Sequence, residues 1–282
     1  SVLLGQKNYQ AANKVLGNVV SLNIIIGLIF MAVSLIFIDP ILYFFGASAD
    51  TLPYAKEYIQ IILYGNIITH LYFGLNAAMR ASGSPKKAMG LTIFTVILNA
   101  ILDPIFIFTL DMGIAGAAWA TVISQSVSLV IVMLHFSNHN RAVHFKKGIL
   151  RLNFKVAKES LAIGSGPFLM NAAACLVTLF INQQLRSYSG DLGIGAYGIC
   201  NRIVFMFIMI CMGLNQGMQP IAGYNYGARQ YSRVKEVFWK TARLAVLVTT
   251  ICFVIGVFFP QLAVGIFTRD PELSSLSSRA LR

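Results

Sequence analysis

The sequence predicts an all-α, polytopic membrane helix bundle made of two pseudo-symmetric lobes. Three observations predict it: an apolar composition unsuited to water, uncharged runs as long as a bilayer is thick, and a repeat that links the two ends of the chain. Of the 282 residues, 57% are hydrophobic and 11% charged, against about 45–50% and about 25% in an ordinary soluble domain. A single soluble core stops growing near ~250–300 residues, so this much apolar surface takes lipid as its solvent. Cys175, Cys200, Cys211 and Cys252 all lie inside apolar runs. They read as packing residues rather than as a disulfide or metal-ligand set.

A hydrocarbon layer of ~30 Å takes about 20 helical residues. Seven stretches meet that length: 16–38, 58–79, 88–110, 113–136, 160–186, 195–222 and 242–268. Only Asp103 and Arg202 place a charge well inside any of them. The loops alternate in character, and fifteen of the 22 lysines and arginines fall in 1–15, 80–87, 137–159 and 223–241. By the positive-inside rule these loops face the cytoplasm. The net charge of +12 is thus a topology signal and does not call for nucleic acid. A multi-pass protein of the inner, or plasma, membrane is expected. Residues 1–15 are polar and show no cleavable-signal pattern.

The repeat comes next. Leu4-Gly5-Gln6-Lys7-Asn8-Tyr9, ahead of the first span, matches Tyr226-Gly227-Ala228-Arg229-Gln230-Tyr231, ahead of the last. Each is followed by an apolar span that ends at a proline, Pro40 or Pro260, and then by Asp50 or Asp270. Six spans separate the matching loops, so both lie on one side and the repeat is parallel. Completing each copy from the other gives six helices per copy and twelve in the intact protein, of which seven are present here. The expected organisation is a partial first lobe over 1–140, a cytoplasmic linker over 141–159 and a partial second lobe over 160–282. A complete seven-helix retinal pump is disfavoured, because it needs a Schiff-base lysine and residues 242–268 contain none.

Ionisable groups inside lipid are costly and normally face a bundle interior or a water-filled cavity. Asp103 lies about 10 Å from the outer end of the third span at the helical rise, with Asn99 one turn earlier on the same face and Pro104 directly after it. Proline has no N–H and crowds the preceding turn, which leaves backbone carbonyls short of partners. A carboxylate beside an amide and free carbonyls suits a proton or a hard cation such as Na⁺. Capping of a helix that restarts at Pro104 is the bland alternative. Arg202 is read as snorkelling outward, and His70 as an interior hydrogen-bonding residue. His135, His139 and His144 are read as a wet interface rather than a metal site. Amides and aromatics within the spans suit a cavity for amphipathic or cationic ligands, for which Tyr58, Gln125 and Gln216 are the expected lining. No elbow, P-loop or metalloprotease motif occurs, so no enzyme activity and no cofactor are expected.

Together, Arg80-Ala81-Ser82-Gly83, Asn99-Ala100-Ile101-Leu102-Asp103-Pro104 and Gly113-Ile114-Ala115-Gly116-Ala117-Ala118-Trp119-Ala120-Thr121 resemble the multidrug and toxic compound extrusion family. So do Gln216-Gly217-Met218-Gln219-Pro220 and Gly223-Tyr224-Asn225-Tyr226-Gly227-Ala228 in the second lobe. The resemblance implies a twelve-helix, two-lobed antiporter, monomeric at full length, that exports cationic small molecules against H⁺ or Na⁺. It implies that Asn99, Asp103, Asn76 and Thr121 line the coupling site, with a further aspartate on a helix this chain lacks. The competing readings are a lipid-linked oligosaccharide flippase and a non-transporting receptor or scaffold; a flippase needs a cationic cavity, for which only Arg202 and Arg186 are available.

Overall fold

The computed structural model describes residues 1–146, 148, 150–185, 188 and 192–282. Its elements are α1 (Val2–Gly5), α2 (Tyr9–Ile36), α3 (Ile38–Phe44), α4 (Leu52–Tyr64), α5 (Asn66–Ala81), α6 (Pro85–Pro104), a π-helical turn (Ile105–Thr109), α7 (Gly113–Ser137), α8 (Phe154–Gly227), α9 (Tyr231–Phe258), α10 (Pro260–Gly265) and α11 (Pro271–Leu281). Among the described residues, six helical stretches are long and apolar enough to cross a membrane: Tyr9–Ile36, Pro85–Thr109, Gly113–Ser137, Phe154–Leu185, Leu192–Gly227 and Tyr231–Phe258. They coincide with six of the seven expected spans. The chain divides into two compact units, Ser1–Glu159 and Ser160–Arg282. Arg186 and half of the loop expected over 187–194, namely 187 and 189–191, lie outside the described residues.

The remaining span, 58–79, departs from the expectation of one helix. It is made of α4 and α5, which meet at Gly65. The backbone bonds from Gly65 N–H to the Ile61 carbonyl and from Thr69 N–H to the Gly65 carbonyl persist, both at 3.1 Å, so the join is a kink and not a break. Glycine is a recognised kink site, and here it also lets α7 approach. A Cβ at Gly65 would stand 2.5 Å from Val122 Cγ2.

The cytoplasmic loop expected over 223–241 is much shorter than predicted. α8 runs to Gly227 and α9 begins at Tyr231, because helices leaving the hydrocarbon keep their backbone bonds in water as long as no residue stops them. What stops α8 is a Schellman-type end. Arg229 takes a left-handed φ of 59° and Gln230 N–H donates to the Asn225 carbonyl at 2.8 Å. The first copy repeats this: Lys7 has φ 57° and Asn8 N–H donates to the Leu3 carbonyl at 2.8 Å. In each copy a 28-residue helix follows and gives way at a phenylalanine, Phe37 or Phe259, to a short helix. The weak sequence repeat is therefore also a repeat of backbone geometry.

The core of the first unit gathers Leu16 of α2, Tyr72, Leu75 and Met79 of α5, Ala88 and Leu91 of α6, and Leu129, Val132 and Phe136 of α7. Val143 joins that core and Phe145 packs on it. The segment after α7, expected to be linker, thus lies on the first unit. In the second unit Ile199 and Ile203 of α8 pack with Ala263 and Val264 of α10, and Leu273 and Leu281 of α11 pack against this cluster.

Candidate functional site

The site begins with the register of α6. Ser84 and Pro85 start the helix, and from there Thr95, Asn99 and Asp103 recur every four residues, so they stack along one face. Pro104 cannot donate a backbone hydrogen bond, and directly after it the chain adopts the π-helical turn Ile105–Thr109. A π turn is rare and concentrates at functional sites. It is followed by a tight reversal in which Asp111 and Gly113 have φ of 51° and 54°. α7 then returns against the turn. Its Gly116 fits so closely that a Cβ there would stand 2.7 Å from the carbonyl carbon of Phe106.

This docking brings Thr121 opposite Asn99. The Asn99 side-chain amide donates to Asp103 Oδ1 at 3.2 Å and to Thr121 Oγ1 at 3.4 Å. Thr121 spends its own proton on the Ala117 carbonyl, at 3.1 Å, so toward Asn99 it acts as an acceptor. Asp103, Asn99 and Thr121 are all half-buried, and Asp103 has no ion-pair partner among the described residues. One amide thus bridges a carboxylate and a hydroxyl across two helices. A proton on Asp103 fits this arrangement directly. A hard cation needs oxygen ligands, and Asn99 supplies its oxygen only if the amide turns over, leaving the Asp103 and Thr121 oxygens as its neighbours.

One turn along α7 from Thr121, Gln125 accepts a hydrogen bond from the Thr69 hydroxyl of α5. Further toward the basic side, Thr95 donates to the Leu91 carbonyl at 2.7 Å and so accepts from both the Tyr72 and Ser128 hydroxyls, at 2.9 and 2.7 Å. Tyr72, Thr95 and Ser128 are buried. The Thr95 and Ser128 hydroxyls were not singled out from sequence. Their signal is the four-residue recurrence Thr95, Asn99, Asp103 on α6 and Thr121, Gln125 and Ser124, Ser128 on α7.

Asn76 is placed elsewhere. Its amide donates to the Ala88 carbonyl at 3.2 Å and to Thr92 Oγ1 at 3.4 Å, and it accepts from the Arg80 guanidinium at 3.2 Å. Arg80 lies one turn along α5 from Asn76, Ala88 and Thr92 lie in the first half of α6, and Ala88 is roughly 16 Å along the axis from Asn99 at 1.5 Å per residue. Tyr58 is half-buried on α4, and Gln216 is exposed in the second unit. Arg202 is exposed too. The His139 and His144 rings meet edge to face at 5.3 Å and His144 Nδ1 faces the Arg141 carbonyl, and no metal-binding cluster of His, Cys, Asp or Glu occurs among the described residues.

The MatE family model matches residues 1–105 and 167–282, one segment in each unit. The multidrug export protein MepA of Staphylococcus haemolyticus (strain JCSC1435) is 29% identical over 282 residues. That of Staphylococcus aureus (strain MSSA476) is 30% identical over the same length. All of this chain is covered in both, and it spans 62% of the length of each. A solved outward-facing multidrug resistance MATE family transporter of the MOP superfamily superposes with a TM-score of 0.88 at 24% identity, covering 100% of this chain and 63% of that one. At that identity the likeness speaks for the fold.

Proposed function

Because this chain belongs to the MatE family and is a multi-pass membrane protein, we propose that the intact protein is an antiporter that exports cationic or amphipathic small molecules in exchange for H⁺ or Na⁺ across the plasma membrane. The observation that carries this reading is the Asp103–Asn99–Thr121 cluster, a carboxylate set inside an apolar span at a π turn and tied by one amide to the neighbouring helix. A carboxylate in that position changes the net charge of the helix pair when an ion arrives or leaves. The protonated carboxyl becomes a donor where the carboxylate was only an acceptor, so occupancy alters the partners of Asn99 and with them the seam between α6 and α7. A ligand shifts a conformational equilibrium by its differential affinity for the two states. Ion occupancy of this seam thus biases which side the transporter opens to, as alternating access requires. The relatives named above are described as multidrug exporters, which favours a drug-like cation over a lipid-linked oligosaccharide as cargo.

The test is efflux of a fluorescent organic cation by the intact protein in vesicles, with an imposed H⁺ or Na⁺ gradient in separate arms. Asp103→Asn should abolish gradient-driven transport in whichever arm is active while membrane insertion and thermal melting stay unchanged. Full transport by that variant overturns the assignment.

A further inference from the structure

We propose that a basic pocket between the first turns of α2 and the segment after α7 binds the phosphate of an anionic phospholipid headgroup in the cytoplasmic leaflet. Lys14, Lys146 and Arg151 line a cavity of about 420 Å³ together with the side chains of Gln10, Asn13 and Asn18. Among the described residues, no aspartate or glutamate lines it. None of the three cations has an ion-pair partner among the described residues. Three uncompensated positive charges beside amide groups form an anion site, and a lysine and arginine set of this kind matches phosphate geometry.

The pocket is held open by its own walls. Backbone N–H groups of His144 and Asn153 donate to the side-chain oxygens of Asn13 and Asn18 at 2.9 and 3.0 Å, and the Ser21 hydroxyl donates to the Leu150 carbonyl at 3.2 Å. Asn13, Asn18 and Ser21 are buried. These bonds fix the segment carrying Lys146 and Arg151 against the helix carrying Lys14, so little ordering remains for the ligand to induce.

Depth selects a lipid over a soluble phosphate. α2 has 28 residues, about 42 Å at the helical rise, against a hydrocarbon thickness of ~30 Å. Its surplus of about eight residues lies at the basic end, which the positive-inside rule sets in the cytoplasmic headgroup layer, and Gln10, Asn13 and Lys14 belong to it. From Lys14 and Asn18 the same face of α2 continues through Ile25 and Ile29, both exposed. A phosphate seated in the pocket therefore has an apolar track beside it for its acyl chains. Basic pockets on the cytoplasmic side of helix bundles recognise anionic headgroups in this way.

The experiment measures thermal melting and lipid retention by native mass spectrometry on the intact protein in detergent, with added phosphatidylglycerol, phosphatidylcholine or glycerol 3-phosphate. Phosphatidylglycerol should stabilise the wild type, and phosphatidylcholine and glycerol 3-phosphate should not. At about fivefold per basic residue near an anionic surface, the triple variant Lys14→Gln, Lys146→Gln, Arg151→Gln should hold phosphatidylglycerol roughly 100-fold more weakly. The charge-keeping variant Lys14→Arg, Lys146→Arg should bind as the wild type does, which separates charge from folding. Equal stabilisation by glycerol 3-phosphate overturns the lipid assignment. Equal loss in a variant neutralising Arg233, Lys235 and Lys240 overturns the localised site, as does undiminished retention in the triple variant.

Discussion

Gly116 rests against the backbone of Phe106, with its Cβ position 2.7 Å from that carbonyl carbon and 2.8 Å from the oxygen. The start of α7 is thereby seated on the π turn that follows Asp103. Gly116→Ala meets backbone on both atoms, so nothing flexible gives way, and overpacking of this kind costs about 1–3 kcal/mol. The expected outcome is a lower melting temperature of the intact protein together with reduced gradient-driven efflux. Unchanged melting and transport would mean that the π turn does not hold the site.

At Gly65 the obstruction is a side chain. A Cβ there meets both Val122 methyl groups, at 2.5 and 2.9 Å. Gly65→Ala should destabilise by about 1–3 kcal/mol, and adding Val122→Ala should recover most of that loss. A double-mutant cycle on melting curves tests it; additive losses would show that the kink, and not the close approach, requires glycine.

Asn99 touches a carboxylate and a hydroxyl, and these bonds differ in strength. Hydrogen bonds to charged groups contribute about 1.5–3 kcal/mol and neutral ones about 0.5–1.5. Asn99→Ala should therefore weaken apparent affinity for the coupling ion by roughly 10- to 100-fold, and Thr121→Val by only about 2- to 10-fold. The ion-concentration dependence of transport gives both values, and the reverse order would remove Asn99 from its bridging role.

Lys7 and Arg229 hold left-handed backbone at the matching turns of the two copies. For a non-glycine residue this conformation costs about 1–2 kcal/mol. Lys7→Gly and Arg229→Gly should each leave the turn intact and stabilise by up to about 1 kcal/mol, less the entropy that glycine adds to the unfolded chain. Melting of the two single variants checks this, and a drop in either would show that the basic side chain contributes more than the backbone strain costs.

Much of this architecture was legible in one dimension because lipid imposes it locally. A stretch without charges must satisfy its backbone internally and becomes a helix wherever it is long enough, so six spans could be read directly and the 28-residue helices of the repeat announced by their shared turn sequence. Asp103 and Asn99 were legible together for the same reason: four residues apart on one helix, they are neighbours by periodicity alone. The seam between helices was decided only by tertiary structure. Thr121 meets Asn99 because Gly116 lets α7 settle on a π turn, and no spacing along the chain encodes that approach. Asn76 shows the converse. It sits on a helix adjoining the site, yet its register carries it to Ala88, Thr92 and Arg80. The docking of His144 and Asn153 onto α2 was equally invisible, since it depends on buried asparagines whose backbone partners lie more than a hundred residues away. Periodicity fixes which residues share a helix face, whereas packing fixes what that face meets.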